Sequence, residues 1–197
     1  MTGHQRPDSE ILASLLGQPE LMGVLYERHA PAVFRYLARR ASPSAAEDLL
    51  SEVFIAALDG RARVVVHDSG SALPWLYGIA MNVLRRHFRQ GAAPWVAAED
   101  PGMDWDAVDA RLDAEAKRGQ LRSALTALSA RDRELLLLVA WEGLTPAEAA
   151  EVLGIGKVAA RSRLHRARRR ALQALGRSTP IRPTVEMTTA TGKEMPA

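Results

Sequence analysis

The clearest structural signal in the chain is the stretch GLTPAEAAEVLGIGKVAARSRLHRARRR, residues 143–170. Thr145 followed by Pro146 and Glu148 is a capping-box pattern, which predicts that a helix begins there. The apolar residues that follow give this helix a buried face, and Gly154 offers a left-handed stop. The first half of the stretch therefore predicts a short helix that ends in a tight turn.

The second half predicts a longer, basic helix from about Lys157 to Leu175, with Gly176 as its terminator. The apolar stripe consists of Ala160, Leu164, Ala171, Leu172 and Leu175, and the arginines mostly off it are Arg161, Arg163, Arg166, Arg168, Arg169 and Arg170. An arginine run alone is often a solvated face. The capped helix and glycine turn directly upstream favour a helix-turn-helix instead, whose second helix fits the DNA major groove.

The composition of the 197 residues predicts an all-α protein, because alanine, leucine and arginine dominate and aromatic residues make up 5%. The chain has no cysteine, so disulfides and thiolate metal sites are excluded. No apolar segment approaches the ~20 residues that cross a bilayer. The first ten residues lack the apolar core of a signal peptide. We therefore expect a soluble, cytoplasmic protein without membrane insertion.

The distribution of charge predicts two modules. The chain has a net charge of +3, but residues 1–90 carry +1, residues 91–113 carry −5 and residues 114–176 carry +6. An acidic strip between a near-neutral and a basic half is typical of a linker. Only the second module has the net charge expected of a phosphate-binding surface. The sequence assigns no role to Trp95 and Trp105 in the strip.

The first module is predicted to begin with helices at about 9–16 and 19–40, with Pro31 as a kink or break in the second. Ser44 and Glu47 form a second capping-box pattern, which predicts the start of the next helix. A loop-like stretch and a further helix at about 73–89 follow.

In the helix AAEDLLSEVFIAAL, residues 45–58, Asp48 and Glu52 lie one turn apart opposite the apolar face, flanked by Ser51 and Ile55. Two carboxylates suit acid–base catalysis or a metal, but nothing nearby completes a nucleophile or a ligand set. A solvated face and a docking face for a basic partner remain, and the pattern does not choose between them.

In the second module a helix at about 114–128 precedes one capped by Ser129. The run LLLLV at 135–139 predicts that this second helix is buried nearly all round, as in the centre of a small bundle. The tail after residue 176 is rich in threonine and proline without periodicity, which is typical of disorder.

Together these segments resemble the sigma-70 family of RNA polymerase sigma factors, in its small two-domain extracytoplasmic-function group. The segments LYERHAPAVFRYLARR (25–40), AEDLLSEVFIAAL (46–58) and PWLYGIAMNVLRRH (74–87) resemble the sigma-2 domain, and ALSARDRELLLLVAWEGLTPAEAAEVLGI (127–155) and RSRLHRARRRAL (161–172) resemble the sigma-4 domain. The resemblance implies an N-terminal extension at 1–19, a sigma-2-like domain at 20–90, a flexible acidic linker at 91–113, a sigma-4-like helix-turn-helix domain at 114–176 and a disordered tail at 177–197.

The resemblance also implies a function: a promoter-specificity subunit that binds core RNA polymerase and promoter DNA, assists −10 melting, needs no cofactor or metal, and is not an enzyme. The implied polymerase-binding residues are Asp48, Ser51, Glu52 and Ile55. The implied −10 residues are Arg61, Arg63, His67, Asn82, Arg85 and Arg86, and residues 61–72 would capture an extruded base. The implied −35 residues are Lys157, Arg161, Ser162, Arg163, Arg166, Arg168 and Arg169.

The sequence departs from the family pattern at two places. Val158-Ala159-Ala160 replaces a common Gly-Thr-Val run, which removes a threonine hydroxyl, and Met81 stands where arginine is frequent.

The alternative function is a stand-alone helix-turn-helix regulator with a helical sensor domain, which would bind operator DNA without polymerase. An enzyme is a further alternative, but the chain shows no nucleophile–base set and no Gly-rich phosphate loop. The sequence leaves open whether an anti-sigma factor is an additional partner.

Overall fold

The structure is a computed structural model, and it describes residues 6–64, 66–89 and 119–177. All regular secondary structure in these ranges is helical, which confirms the predicted all-α class. No helix in the described ranges is long and apolar enough to span a membrane. The predicted linker at 91–113, with Trp95 and Trp105, and the tail after Arg177 lie outside the described residues.

The helices of the N-terminal half are α1 (Asp8–Ser14), α2 (Met22–Ala38), α3 (Pro43–Gly60) and α4 (Leu73–Arg89). Short 3-10 turns at Pro19–Leu21 and Arg61–Arg63 precede α2 and follow α3. The helices of the C-terminal half are α5 (described from 119 to 126), α6 (Ala130–Ala140), α7 (Pro146–Leu153) and α8 (Lys157–Arg177).

The residues expected to form an N-terminal extension are part of the core of the N-terminal half. Ile11, Leu12 and Leu15 are fully or almost fully buried in the main hydrophobic cluster. Helix α2 continues through Pro31, so of the two predicted alternatives the break is wrong and the kink stays a prediction. Pro31 is exposed on the outer side of the helix.

Helix α3 begins earlier than the sequence predicted. Ser42 is its N-cap and accepts a hydrogen bond from the Ala45 amide, and Pro43 occupies the first turn. The predicted capping box at Ser44 and Glu47 is therefore wrong. Proline fits the first helical turn because its missing N–H has no partner there anyway, and this favoured the earlier start.

The helix-turn-helix has the predicted local structure. Thr145 and Glu148 form a reciprocal capping box at the start of α7, and Gly154 ends it in the left-handed region with φ 63°. Ser129 caps α6 as predicted. Helix α8 continues through Gly176 within the described residues, so that glycine is not its terminator. Leu172 is 68% exposed and does not belong to the buried stripe.

The two halves pack directly against each other. One hydrophobic cluster contains Leu76 and Tyr77 of α4 together with Leu135 and Leu138 of α6 and Ala149 of α7. A smaller cluster lies within the C-terminal half and includes Leu137 and Ala167. The sequence predicted two modules but gave no sign of this shared core, because a helix's apolar face does not reveal its partner.

Candidate functional site

The acidic face of α3 consists of Asp48, Ser51, Glu52 and Ile55, and all four side chains are exposed. Ile55 is 62% exposed, although it lies beside the buried Val53 and Phe54. Glu52 forms an ion pair with Arg86 of α4 across the surface. The face therefore exposes the Asp48 carboxylate and the Ile55 side chain, and neither of them packs in the core of this half.

A cleft of about 450 Å³ lies beside this face, between α3 and α4. Arg63 faces it from the 3-10 turn after α3, and its α4 wall consists of Trp75, Ile79, Asn82, Val83, Arg86 and Arg89. The cleft combines an aromatic ring, an amide and three guanidinium groups. This set can stack on a base and neutralise phosphate.

The predicted −10 residues divide into two groups. Arg63, Asn82 and Arg86 line the cleft. Arg85 lies outside it, on the groove between the two halves. Arg61 and His67 point elsewhere, since the Arg61 guanidinium donates to the Leu58 carbonyl at 2.7 Å and the His67 side chain is 7% exposed.

His67 and its neighbour Asp68 contact the helix-turn-helix. The His67 Nε2 atom lies 3.3 Å from the Glu151 carboxylate, and its Nδ1 atom lies 3.9 Å from that of Glu148. Asp68 accepts a hydrogen bond from the Lys157 ammonium at 3.3 Å. The loop before α4 thus contacts α7 and the start of α8 through these two side chains.

The basic face of α8 is open to solvent. Arg161, Ser162, Arg166, Arg168 and Arg169 are exposed, and Arg163 is partly exposed. Ala160, Leu164 and Ala167 on the opposite side are buried. The helix therefore has one side committed to packing and one side that is available to an anion such as DNA.

A buried polar network, not predicted from the sequence, joins the two halves. The Arg40 guanidinium, 2% exposed, donates to Glu134 at 3.0 Å and to Glu142 at 3.4 Å. The Tyr36 hydroxyl donates to Glu134 at 3.0 Å, and the Tyr77 hydroxyl lies 3.5 Å from Glu142. We call these five residues, together with Arg39, which also donates to Glu142, the Arg40 network.

The ionisable groups of the Arg40 network pair with one another. Burial and the neighbouring Glu134 carboxylate raise the pKa of the Tyr36 hydroxyl well above its ordinary value. Burial likewise raises the pKa of Glu142, although Arg40 and Arg39 oppose the shift. The Arg40 guanidinium also stacks on the Tyr36 ring, 3.7 Å from its centroid. Every charge faces a partner, so the network holds the two halves in one register.

Sequence reasoning missed Trp75, Ile79 and Arg89 as members of the cleft. A signal for them was present, because Trp75, Ile79, Asn82, Arg86 and Arg89 recur at spacings of four, three, four and three, which is one face of a helix. The Arg40 network had no such signal, since its members lie about 100 residues apart in the chain.

Comparison with known proteins identifies the class of the chain. Residues 25–93 match the sequence profile "Sigma-70 region 2", and residues 118–170 match "Sigma-70, region 4". The chain is 31% identical over 182 residues to the RNA polymerase sigma factor NccH of Alcaligenes xylosoxydans xylosoxydans, covering 84% of this chain and 91% of NccH. The chain therefore belongs to the sigma-70 family, whose members direct core RNA polymerase to promoters to initiate transcription.

Its relatives place it in the extracytoplasmic-function (ECF) group. It is 28% identical over 174 residues to the ECF sigma factor SigL of Mycobacterium tuberculosis H37Rv, covering 85% of this chain and 98% of SigL.

The fold is shared with two solved structures, one of which is a sigma factor. The structure matches CnrH, solved with the cytosolic domain of CnrY, with a TM-score of 0.61 and 23% identity over 88% of this chain and 100% of that chain. It matches RpoE of Bartonella quintana, solved with the anti-sigma factor NepR, with a TM-score of 0.56 and 21% identity over 77% and 94%.

Proposed function

We propose that this sigma factor uses three separate surfaces: the acidic face of α3 for core RNA polymerase, the cleft between α3 and α4 for the −10 element, and the basic face of α8 for the −35 element. The observation that carries the proposal is that the apolar sides of these helices pack into the core while polar and charged groups remain exposed on the other sides.

For the −10 element, the cleft suits a base that has left the duplex. Trp75 offers a ring for stacking, Asn82 offers an amide donor and acceptor, and the arginines that line the cleft offer positive charge for the flanking phosphates. Extruding a base costs on the order of a few kcal/mol. Stacking returns ~1–3 kcal/mol per base, so binding energy can offset opening without ATP.

For the −35 element, position along α8 separates two kinds of contact. Arg161 and Ser162 lie near the helix start, where a recognition helix points its side chains at base edges. Arg168 and Arg169 lie about two turns later and suit phosphates. Ala159 stands at the position of the family's threonine, and Val158, which is 79% exposed on the first turn, places an apolar side chain beside it.

The closed arrangement of the two halves has to open on a promoter. The two elements lie about 25 base pairs apart, which is ~85 Å at ~3.4 Å per base pair. Here the loop before α4 contacts α7 directly, with His67 3.3 Å from Glu151. One chain therefore cannot occupy both elements until the C-terminal half leaves the N-terminal half.

The remaining parts of the proposal concern chemistry, location and a further partner. The chain catalyses nothing itself and acts in the cytoplasm, where core polymerase is found. An anti-sigma protein is a candidate partner, since both matched structures hold a second protein. Transcription by core polymerase plus this chain alone would show whether any further factor is needed.

The decisive experiment is transcription in vitro with purified core RNA polymerase on a promoter library randomised at both elements. We expect initiation that depends on the chain and selects sequence at −10 and −35. Binding of duplex operator DNA by the chain alone, with no stimulation of core polymerase, would instead support a stand-alone regulator.

A further inference from the structure

Asp8, the first residue of α1, joins three helices of the N-terminal half. Its Oδ1 atom accepts a hydrogen bond from Arg28 at 2.8 Å. Its Oδ2 atom pairs with His29 Nε2 at 2.7 Å and accepts from the backbone amide of Ala72 at 3.0 Å. The side chain is 11% exposed, so these contacts are shielded from solvent. Asp8 lies before the match to region 2, which begins at residue 25.

The contact with Ala72 lies at the start of α4, where the Ser71 hydroxyl also accepts a hydrogen bond from the Leu73 amide at 3.2 Å. The Ala72 carbonyl accepts the first helical hydrogen bond, from the Leu76 amide at 3.0 Å, which places Ala72 at the N-cap. Alanine has no side chain that can cap, and the residue three positions on is Trp75 rather than a glutamate that could reach back to the N-cap amide. Asp8 supplies that carboxylate from a different helix, next to the positive end of the α4 dipole.

Helix α1, which carries Asp8, also supports the turn before α4. The Gly70 amide donates to the His67 carbonyl at 2.8 Å, and Gly70 has φ +70°. A β-carbon placed on Gly70 would lie 3.6 Å from the β-carbon of Ser9. The turn His67–Gly70 therefore packs against α1. Asp8 of the same helix binds the backbone of Ala72, two residues further along the chain.

We propose that Asp8 is a positioning residue for −10 recognition. It holds the loop 66–72 and the first turn of α4 in place, and so fixes the position of Trp75 in the wall of the cleft. The inference rests on the proposed function, because the position of the first turn of α4 affects promoter selection only if the cleft binds the −10 element. Asp8 itself does not contact the cleft. It acts through Ala72.

The test is selection among −10 sequences by the reconstituted holoenzyme, using wild type, Asp8→Ala, Asp8→Asn, Arg28→Gln and Glu10→Gln. Asp8→Ala is expected to reduce the ratio between the best and the poorest −10 sequences by about fivefold, the factor that corresponds to ~1 kcal/mol. Selection at −35 and affinity for core polymerase should stay unchanged, because α8 and the acidic face of α3 do not contact Asp8.

The other variants separate positioning from stability. Asp8→Asn keeps an oxygen for the Ala72 amide but loses the charge, which makes the hydrogen bond weaker, so it should relax −10 selection in the same direction by a smaller factor. Arg28→Gln removes one ion pair but leaves the Ala72 contact, and Glu10→Gln changes an exposed acid on the same helix. Both should keep wild-type −10 selection.

Three results would overturn the inference. One is unchanged −10 selection in folded Asp8→Ala, or in Asp8→Asn if the alanine variant does not fold. Another is an equal loss at −10 and −35, which would mean a general loss of structure. A wild-type holoenzyme without any −10 preference would overturn the proposed function as well as this inference, whereas the first two results leave the proposed function standing.

Discussion

At the scale of single residues, Arg161 and Arg168 test how α8 divides its work. A bidentate arginine–guanine contact supplies ~1–3 kcal/mol of discrimination, whereas a phosphate contact acts on every sequence. We expect Arg161→Ala to relax preference at one or two −35 positions. Arg168→Ala should weaken all promoters alike and lower the salt slope of binding by roughly one unit.

The measurement is binding or transcription across a randomised −35 library at two salt concentrations. Both arginines are exposed, so neither substitution should alter folding. A uniform loss from Arg161→Ala would mean that this residue holds phosphate and that readout lies elsewhere on the helix, with the exposed Val158 as the next candidate.

A second prediction at this scale concerns the stability contributed by the Asp8 carboxylate. Burial raises its pKa, but the Ala72 amide, Arg28 and His29 outweigh burial and leave the pKa below its ordinary value. A folded-state pKa below the unfolded value of about 3.9 contributes stability above that pH and loses it as pH falls through the folded value. The free energy of unfolding of wild type should therefore exceed that of Asp8→Asn at pH 7.

The difference between the two proteins should shrink below about pH 4, as the carboxylate of wild type becomes protonated. Denaturant unfolding at pH 7 and at several acidic values measures it. A difference that stays constant down to the lowest pH would show that the charge of Asp8 contributes nothing and that only its shape matters.

At the scale of helices, the acidic face of α3 should dock on core polymerase. Charge reversal of Asp48 and Glu52 is expected to weaken core binding by at least tenfold, because like charges at an interface cost several kcal/mol. Both side chains are exposed, so helicity should not change. Binding of labelled protein to core polymerase measures the effect.

Glu52 pairs with Arg86 of the cleft, so its reversal disturbs two surfaces at once. Asp48→Lys alone leaves that pair intact and should reproduce part of the loss. The matched control reverses the exposed Glu10 and Glu20, which gives the same charge change outside the acidic face of α3. Equal weakening by the control would indicate a general effect of charge.

The cap of α7 gives a prediction about stability. Thr145 accepts from the Glu148 amide at 3.2 Å, and Glu148 accepts in return from the Thr145 amide at 2.7 Å. Thr145→Ala should lower the free energy of unfolding by ~1 kcal/mol, and Thr145→Ser should restore most of it. Thermal unfolding of the three proteins checks this, and an equal loss in the serine variant would show that the hydroxyl is not the cause.

The helices also show how far the sequence could be interpreted. The capping box at Thr145 and the stop at Gly154 are local patterns, and both were predicted correctly. The prediction that α6 is buried nearly all round is confirmed only in part, because three leucines of the LLLLV run are buried while Leu136 and Val139 are partly exposed. The start of α3 was misplaced because two serines close together both suit an N-cap. The partners of Asp8 and Arg40 were invisible, since hydrogen bonds over 64 or 94 residues depend on packing that no local pattern encodes.

At the scale of the whole molecule, the Arg40 network should control how readily the two halves separate. Removing one partner of a buried ion pair costs ~3–5 kcal/mol, while replacing the whole pair with apolar residues is often neutral or stabilising. Glu134→Gln leaves the buried Arg40 guanidinium with Glu142, at 3.4 Å, as its one remaining carboxylate partner in the network, and should favour separation. The triple change Tyr36→Phe, Arg40→Met and Glu134→Leu should keep the halves together.

The chain has no cysteine, so cysteines introduced at the exposed Ala13 and Gln173 are the sole sites for two dyes. Energy transfer between them should change in Glu134→Gln and stay at the wild-type value in the triple variant, which should also be slower to form active holoenzyme. Equal transfer in wild type and both variants would show that the network does not hold the halves together.

The Arg40 network also bears on how sigma factors of this kind can diverge. Arg40 comes from one family region, and Glu134 and Glu142 come from the other. A chimera that joined the first half of this chain to the second half of a relative would bury the guanidinium opposite whatever residues stand at those two positions. Promoter preference can change by single substitutions of exposed side chains on α8. The two halves of different relatives, in contrast, can recombine only where the residues at these three positions can pair with one another.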